Sequence, residues 1–253
     1  MTLFDLSGRL AFITGSSKGI GFALAQALAG AGASIVLNAR DPAALEEARS
    51  KLAETGATVH AVPFDVTDPE AVTAGIAKIE AQIGPIDILF NNAGMQHRTP
   101  LQDFPLEAWN RLISTNINSV FLVGQAVGRR MIERGRGKII NVCSVQSELA
   151  RPGIAPYTAT KGAIKMLTKG MATDWARYGL QVNGLGPGYF KTELNKALVE
   201  DEKFSAWLST RTPAGRWGDV SELAGAAIFL ASDASSFING HILYVDGGIT
   251  ASL

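Results

Sequence analysis

Short apolar runs rich in β-branched and aromatic residues return seven times along the chain, with helical patterns between them, and this alternation leaves few folds open. The runs are RLAFIT (9–14), SIVLNA (34–39), TVHAVPF (58–64), IDILFN (86–91), GKIINVCS (137–144), LQVNGL (180–185) and HILYVD (241–246). Amphipathic, Ala-rich stretches near 19–30, 42–55, 69–82, 107–133, 157–178 and 220–232 separate them. Strand followed by helix six times over, with short connections, predicts a right-handed, doubly wound α/β fold around a seven-stranded parallel sheet. The runs are apolar throughout rather than alternating, as strands covered on both faces must be. A chain of 253 residues that is 47% apolar can bury one substantial core, so a single domain spanning 1–253 is expected. The rhythm breaks at about 188–218. There a charged helical stretch, ELNKALVEDEKFSAWLSTR, lies between two Gly/Pro-rich turns after a sheet strand, and it reads as a small helical lid over a substrate.

The charge balance narrows the partners. Twenty-three Lys and Arg residues offset twenty-three Asp and Glu, which gives no electrostatic footprint for nucleic acid or an acidic membrane. The N-terminal MTLFDLSGRLAFITG has no basic region leading into an apolar one, and no uncharged apolar run reaches the length of about 18 residues that a membrane span needs. The expected partners are a small molecule and copies of the chain itself, in the cytoplasm. The one cysteine, Cys143, lies in a strand run and reads as a buried free thiol. His60, His97 and His241 lack metal-ligand spacing, so no metal is expected.

Directly after the first strand stands T-G-S-S-K-G-I-G (14–21). Gly15, Gly19 and Gly21 at a strand-to-helix turn let the backbone turn tightly and approach a pyrophosphate, whose charge then meets the free N–H groups of a helix N-terminus. This is a Rossmann-type dinucleotide site, with Ser17, Lys18 and Ile20 of the same loop against the cofactor. The second strand ends in Asn38-Ala39-Arg40, where an NAD site would carry a carboxylate for the ribose hydroxyls. With no such carboxylate, and with Arg40 and Lys18 able to pair with a 2′-phosphate, the expected cofactor is NADP(H). Each cation could instead be a solvated loop charge. Asp41, before Pro42, reads as the cap of the following helix. Asp65-Val66 ends the third strand where a carboxylate could accept from the adenine amino group, and Asn92-Ala93-Gly94 closes the fourth with residues small enough to admit the cofactor.

Tyr157 and Lys161 stand four apart on a predicted helix and so project from one face. Alcohol–ketone interconversion needs a proton donor and acceptor at the oxygen as hydride moves at the carbon. A phenol in water holds its proton to about pH 10, and an ammonium beside it favours the anion. Ser144 ends the fifth strand, where its hydroxyl can hold the substrate oxygen next to the phenol. The glycine loop, N-N-A-G, a serine 13 residues before a tyrosine, Y-x-x-x-K and Pro187-Gly188 follow in that order. In this the chain resembles the short-chain dehydrogenase/reductase family from about Leu6 to Gly248. The resemblance implies Ser144, Tyr157 and Lys161 as catalytic residues, with Lys161 also bonding the nicotinamide ribose. It implies Asn116 as a fourth catalytic residue that positions a water, Pro187, Gly188 and Thr192 as further cofactor contacts, and assembly as a homotetramer.

Those motifs fix a reaction and not a substrate. Longer stretches, NNAGMQHR (91–98), NVCSVQSEL (141–149), GPGYFKTEL (186–194), TPAGRWG (212–218) and NGHILYVDGG (239–248), are similar to those of family members acting on sugar acids and their keto forms, which implies a six-carbon sugar acid. Arg98, beyond the fourth strand, could take a carboxylate bidentately; Gln146, Glu148 and Tyr189 could bond hydroxyls beside Ser144 and Tyr157. Arg151, which also flanks the catalytic strand ends, could take a carboxylate in the same way, though it reads rather as a surface charge. Two alternatives stay open: a reductase of another substrate, such as a β-ketoacyl thioester or another polyol or keto acid, and a protein that senses NADP(H) without turnover. No G-x-S-x-G elbow supports a serine hydrolase.

Overall fold

A computed structural model describes residues 3–252. Seven strands, β1 (Leu10–Ile13), β2 (Ser34–Leu37), β3 (Val59–Ala61), β4 (Ile88–Asn91), β5 (Gly137–Val142), β6 (Leu180–Pro187) and β7 (Ile242–Val245), form one sheet in the order β3-β2-β1-β4-β5-β6-β7. Every pairing is parallel, so the expected α/β doubly wound architecture is the one observed. The strand order reverses direction between β1 and β4, and ligands of such sheets bind where the carboxyl ends part at that point.

Successive side chains of a strand enter opposite layers, and β1 shows how the two layers are filled. Ala11 and Ile13 point into one apolar layer and Leu10 and Phe12 into the other. The first layer is completed by α1 (Gly19–Gly30), α2 (Pro42–Ala53) and the late helix Ala224–Ala231. The second holds α3 (Pro69–Gln82) and the long helices of the chain's middle. Asp41 accepts from the Ala43 and Ala44 N–H groups and Asp68 from those of Glu70 and Ala71, each followed by proline, which starts α2 and α3 where the sequence asks for it.

The middle helices are α4 (Leu106–Ile113), α5 (Ser119–Arg134) and α6 (Ala155–Trp175). The stretch predicted as one helix over 107–133 is interrupted by a π turn at Ser114–Asn118, a local widening that recurs at functional sites. After β6 the chain folds into α7 (Lys196–Val199) and α8 (Glu202–Arg211), and α9 (Ala224–Ala231) then returns it to the sheet. The stretch expected as one charged helix is two, because Asp201 accepts from the Lys203 and Phe204 N–H groups and starts α8 afresh. Tyr189, Phe204, Leu208 and Trp217 pack there with Val145 and Ile249 as a separate apolar cluster beside the carboxyl ends of the strands.

Candidate active site

The glycine turn between β1 and α1 is built against the end of β4. The Thr14 hydroxyl accepts from the backbone N–H groups of Asn92 and Ala93, each at 3.0 Å. The Asn92 amide donates to the carbonyls of Thr14 and Gly15 at 2.9 Å. A Cβ on Gly21 would collide with the Gly15 carbonyl and the Asn92 amide, and one on Gly15 would stand 2.8 Å from the Ala93 Cα. Gly19 differs: its φ is +59° and a Cβ there would meet nothing within 4 Å, so open space lies over the start of α1. No side chain caps α1 and no acidic residue lies in its first turn, which leaves a helix N-terminus ready for an anion. A pyrophosphate fits this cradle, with the Ser17, Lys18, Gly19 and Ile20 segment around it.

At the end of β2, Asn38 is 1% exposed, and its amide donates to the carbonyls of Val62 and Phe64. These two bonds join the end of β2 to the segment that follows β3. Arg40 is free to meet the cofactor: its side chain is 79% exposed and only loosely paired, 3.8 Å from Asp65, a contact of little energetic weight. Asp65 is steadied by the Thr67 N–H and hydroxyl through one oxygen; Val66 beside it is buried. Lys18 is exposed. The residues present therefore suit a 2′-phosphorylated dinucleotide. On the far side, Gly188 closes against Asp246, where a Cβ would stand 2.7 Å from its Cα, and the Gly188 N–H donates to Val245. Pro187 is buried there, and Gly94 and Thr192 are more open.

Ser144, 8% exposed, accepts from the Gln146 N–H at 3.1 Å, which leaves its hydroxyl proton for another acceptor. Lys161 is buried, its Nζ donates to the Val142 carbonyl at 2.7 Å and stands 5.7 Å from the centre of the Tyr157 ring. One helix and one strand end thus assemble the three groups. Asn116 is bonded on two sides. It is 2% exposed; its carbonyl oxygen accepts from the Met95 N–H at 2.8 Å, and its Nδ2 donates to the Met95 carbonyl and to the Thr160 hydroxyl. Thr160 in turn donates to the Tyr157 carbonyl at 2.7 Å. The carboxamide is a clamp between the β4 loop and the turn of α6 that carries Tyr157.

Arg98 reaches from the β4 loop to the segment after β6. Its Nη2 donates to Gln96 Oε1 (2.7 Å), Asn195 Oδ1 (3.1 Å) and the Leu194 carbonyl (3.3 Å), all neutral acceptors. Burial, then the charge of Arg151, pushes its guanidinium below the ordinary value, while the neighbouring Tyr157 and Tyr189 hydroxyls oppose that shift. Gln146 Nε2 donates to the Tyr189 hydroxyl at 3.2 Å, and burial raises the Tyr189 hydroxyl so that it keeps a proton to give. Glu148 is not part of this group: its carboxylate takes the Lys165 ammonium and the Tyr244 hydroxyl. Those partners come from distant stretches of chain, so the sequence does not reveal the pairing. Arg151, read as a surface charge in preference to a second carboxylate ligand, is half-buried and lies over the Phe204 ring at 5.2 Å. It stands six residues before Tyr157, in the turn leading into α6.

Comparison with known proteins agrees with this geometry. The family model described as enoyl-(acyl carrier protein) reductase matches residues 15–250. Gluconate 5-dehydrogenase of Gluconobacter oxydans is 63% identical over 251 residues, covering 99% of this chain and 98% of that protein. The 5-keto-D-gluconate 5-reductase of Escherichia coli is 55% identical, covering 99% of each. Among solved structures, a gluconate 5-dehydrogenase from Burkholderia cenocepacia in complex with NADP and tartrate superposes with a TM-score of 0.97 at 58% identity, covering 99% of this chain and 98% of that one.

Proposed function

We propose that this chain, which belongs to the short-chain dehydrogenase/reductase family, interconverts D-gluconate and 5-keto-D-gluconate with NADP(H). The observation that carries the substrate is Arg98: a guanidinium at the open rim of the site, near the Tyr157 and Tyr189 hydroxyls and held by neutral acceptors alone. A cation kept in such surroundings without a carboxylate is set to receive an anion. The relatives named for gluconate and its 5-keto form support the same choice.

When bound, NADPH supplies the hydride; the chain's own residues govern the oxygen. In the reducing direction the ketone oxygen is received by the Ser144 hydroxyl, which is free to donate, and by the Tyr157 phenol, which gives up its proton as charge grows on that oxygen. Lys161, fixed at the end of β5, steadies the resulting phenolate. Asn116 and Thr160 act through Tyr157 by fixing the backbone that carries it. Arg98 holds the carboxylate at the other end of the substrate, and Tyr189 donates to a hydroxyl between. The stretch 188–218 serves as a lid, since Arg98 bonds it directly at Leu194 and Asn195.

Assembly and location belong to the same reading. Among the described residues no helix is long and apolar enough to cross a membrane. Leu106 and Trp109 on α4, Phe121 on α5 and Met166 on α6 are exposed, which suits burial between copies in a cytoplasmic homotetramer.

The function is tested by offering NADPH with 5-keto-D-gluconate, with an acetoacetyl thioester and with neutral keto sugars, and following the loss of nicotinamide absorbance. The sugar acid should be the preferred substrate. Tyr157→Phe should lower kcat by at least about 100-fold while NADPH still binds; preference for the thioester, or near-normal turnover without the phenol, would remove the reading.

A further inference from the structure

Two buried polar atoms in the pocket have no partner within the protein. Gln146, 6% exposed, gives its Nε2 to Tyr189, but its Oε1 accepts from nothing. The Nε of Arg151 is buried and donates to nothing. Folded proteins seldom leave such atoms unsatisfied, and where they do a ligand commonly completes the set. Arg151 also forms no ion pair among the described residues. Its Nη1 donates to the adjacent Pro152 carbonyl at 3.4 Å, and its guanidinium also reaches the Tyr189 hydroxyl.

Its placement is nonetheless fixed. The guanidinium lies over Phe204 of α8 at 5.2 Å, a stacking that orients the planar group and weakens its hold on water. It is close enough to Arg98 for each charge to be felt by the other. Two like charges converge beside Tyr157 and Tyr189, and no acidic residue forms an ion pair with either among the described residues. Both are tied to the lid, Arg98 at Leu194 and Asn195 and Arg151 at Phe204.

We propose that Arg151 is a specificity-determining residue: it grips the substrate carboxylate opposite Arg98 through its free Nε edge, while Gln146 Oε1 accepts from a hydroxyl of the same molecule. This rests on the sugar-acid reading above and names the residues that enforce it. The unsatisfied pair asks for an anionic oxygen at Arg151 and a hydroxyl proton at Gln146, and a polyhydroxy acid carries both. A ketoacyl thioester offers carbonyl oxygens but no hydroxyl for Gln146. The edge formed by Nε and an Nη atom matches a carboxylate with two parallel hydrogen bonds, which a lysine ammonium cannot reproduce.

The test compares wild-type enzyme with Arg151→Met, which keeps an apolar stem on Phe204, and Arg151→Lys, which keeps the charge without the fork. Substrates are 5-keto-D-gluconate and L-sorbose, the same carbon chain with the carboxylate reduced to a primary alcohol; tartrate serves as an anionic inhibitor. In Arg151→Met the KM for 5-keto-D-gluconate and the inhibition constant of tartrate should both rise by about 10- to 100-fold, with kcat changed by less than about three-fold. The loss on L-sorbose should be at least tenfold smaller, and Arg151→Lys should fall between. Equal losses on the two sugars, a fall in kcat at constant KM, or unaltered tartrate inhibition would overturn the role of Arg151 alone. Failure of the wild-type enzyme to reduce 5-keto-D-gluconate while it reduces another class would overturn the sugar-acid reading, and this inference with it.

Discussion

Lys138 sits in the interior of β5, 6% exposed, with its Nζ 3.2 Å from the Ser235 hydroxyl, and takes no part in the proposed chemistry. Burial pushes its ammonium down from 10.5 to about 8, Asp233 opposing the shift and Arg9 adding to it. Below pH 8 the group is charged in both folded and unfolded chains, and the cost of burying that charge is fully present. Between about 8 and 10.5 the unfolded chain holds the proton more firmly, so the wild-type protein gains stability as pH rises. Lys138→Met should therefore stabilise the protein by about 1–3 kcal/mol at pH 7, an advantage that denaturant titrations should find shrinking towards pH 10. Arg40 bears on affinity instead: Arg40→Ala should weaken NADPH by about 1.5–3 kcal/mol and leave NADH nearly unchanged, as read by cofactor fluorescence titration. At this scale the reactive residue types were readable from the chain, because Ser144, Tyr157 and Lys161 have spacing that means little outside one geometry. The amides were not. Asn38, Asn92 and Asn116 spend their donors on backbone and hydroxyl partners up to 78 residues away, and no local pattern announces such a commitment.

The elements were the most legible part, since strands buried on both faces and helices opened by Asp-Pro pairs carry their signals locally. What the helical pattern did not show was the π turn that sets Asn116, whose side chain is tied to Met95 and Thr160 on other segments; the break at Asp201, by contrast, is a local cap that divides the lid into two helices. The glycine turn joins the two levels, because its geometry is set by the end of β4 as much as by its own residues. Gly21→Ala would drive a methyl group into the Gly15 carbonyl and the Asn92 amide, and backbone cannot yield as a side chain tip does. It should cost about 1–3 kcal/mol of stability and weaken NADPH by at least about tenfold, because the N–H groups that meet the pyrophosphate move with the turn. Thermal unfolding with and without NADPH separates the two effects; a variant with normal affinity would show that the turn tolerates distortion.

Across the whole molecule, the sheet gathers at one edge a cradle for a dinucleotide, a proton donor, and two arginines without carboxylates, while exposed apolar side chains lie on α4, α5 and α6. If those side chains are buried between copies, Phe121→Lys combined with Met166→Lys should yield smaller species in sedimentation velocity than the wild-type assembly, and an unchanged species would move the interface elsewhere. At the centre stands one transfer: a hydride leaves C5 of a sugar acid and goes to NADP. Incubation of D-gluconate carrying deuterium at C5 with NADP, followed by analysis of both products, measures that transfer directly. Deuterium is expected on the nicotinamide C4 of the reduced cofactor, with 5-keto-D-gluconate as the oxidised product. Unlabelled reduced cofactor, or a ketone at another carbon of the chain, would contradict it.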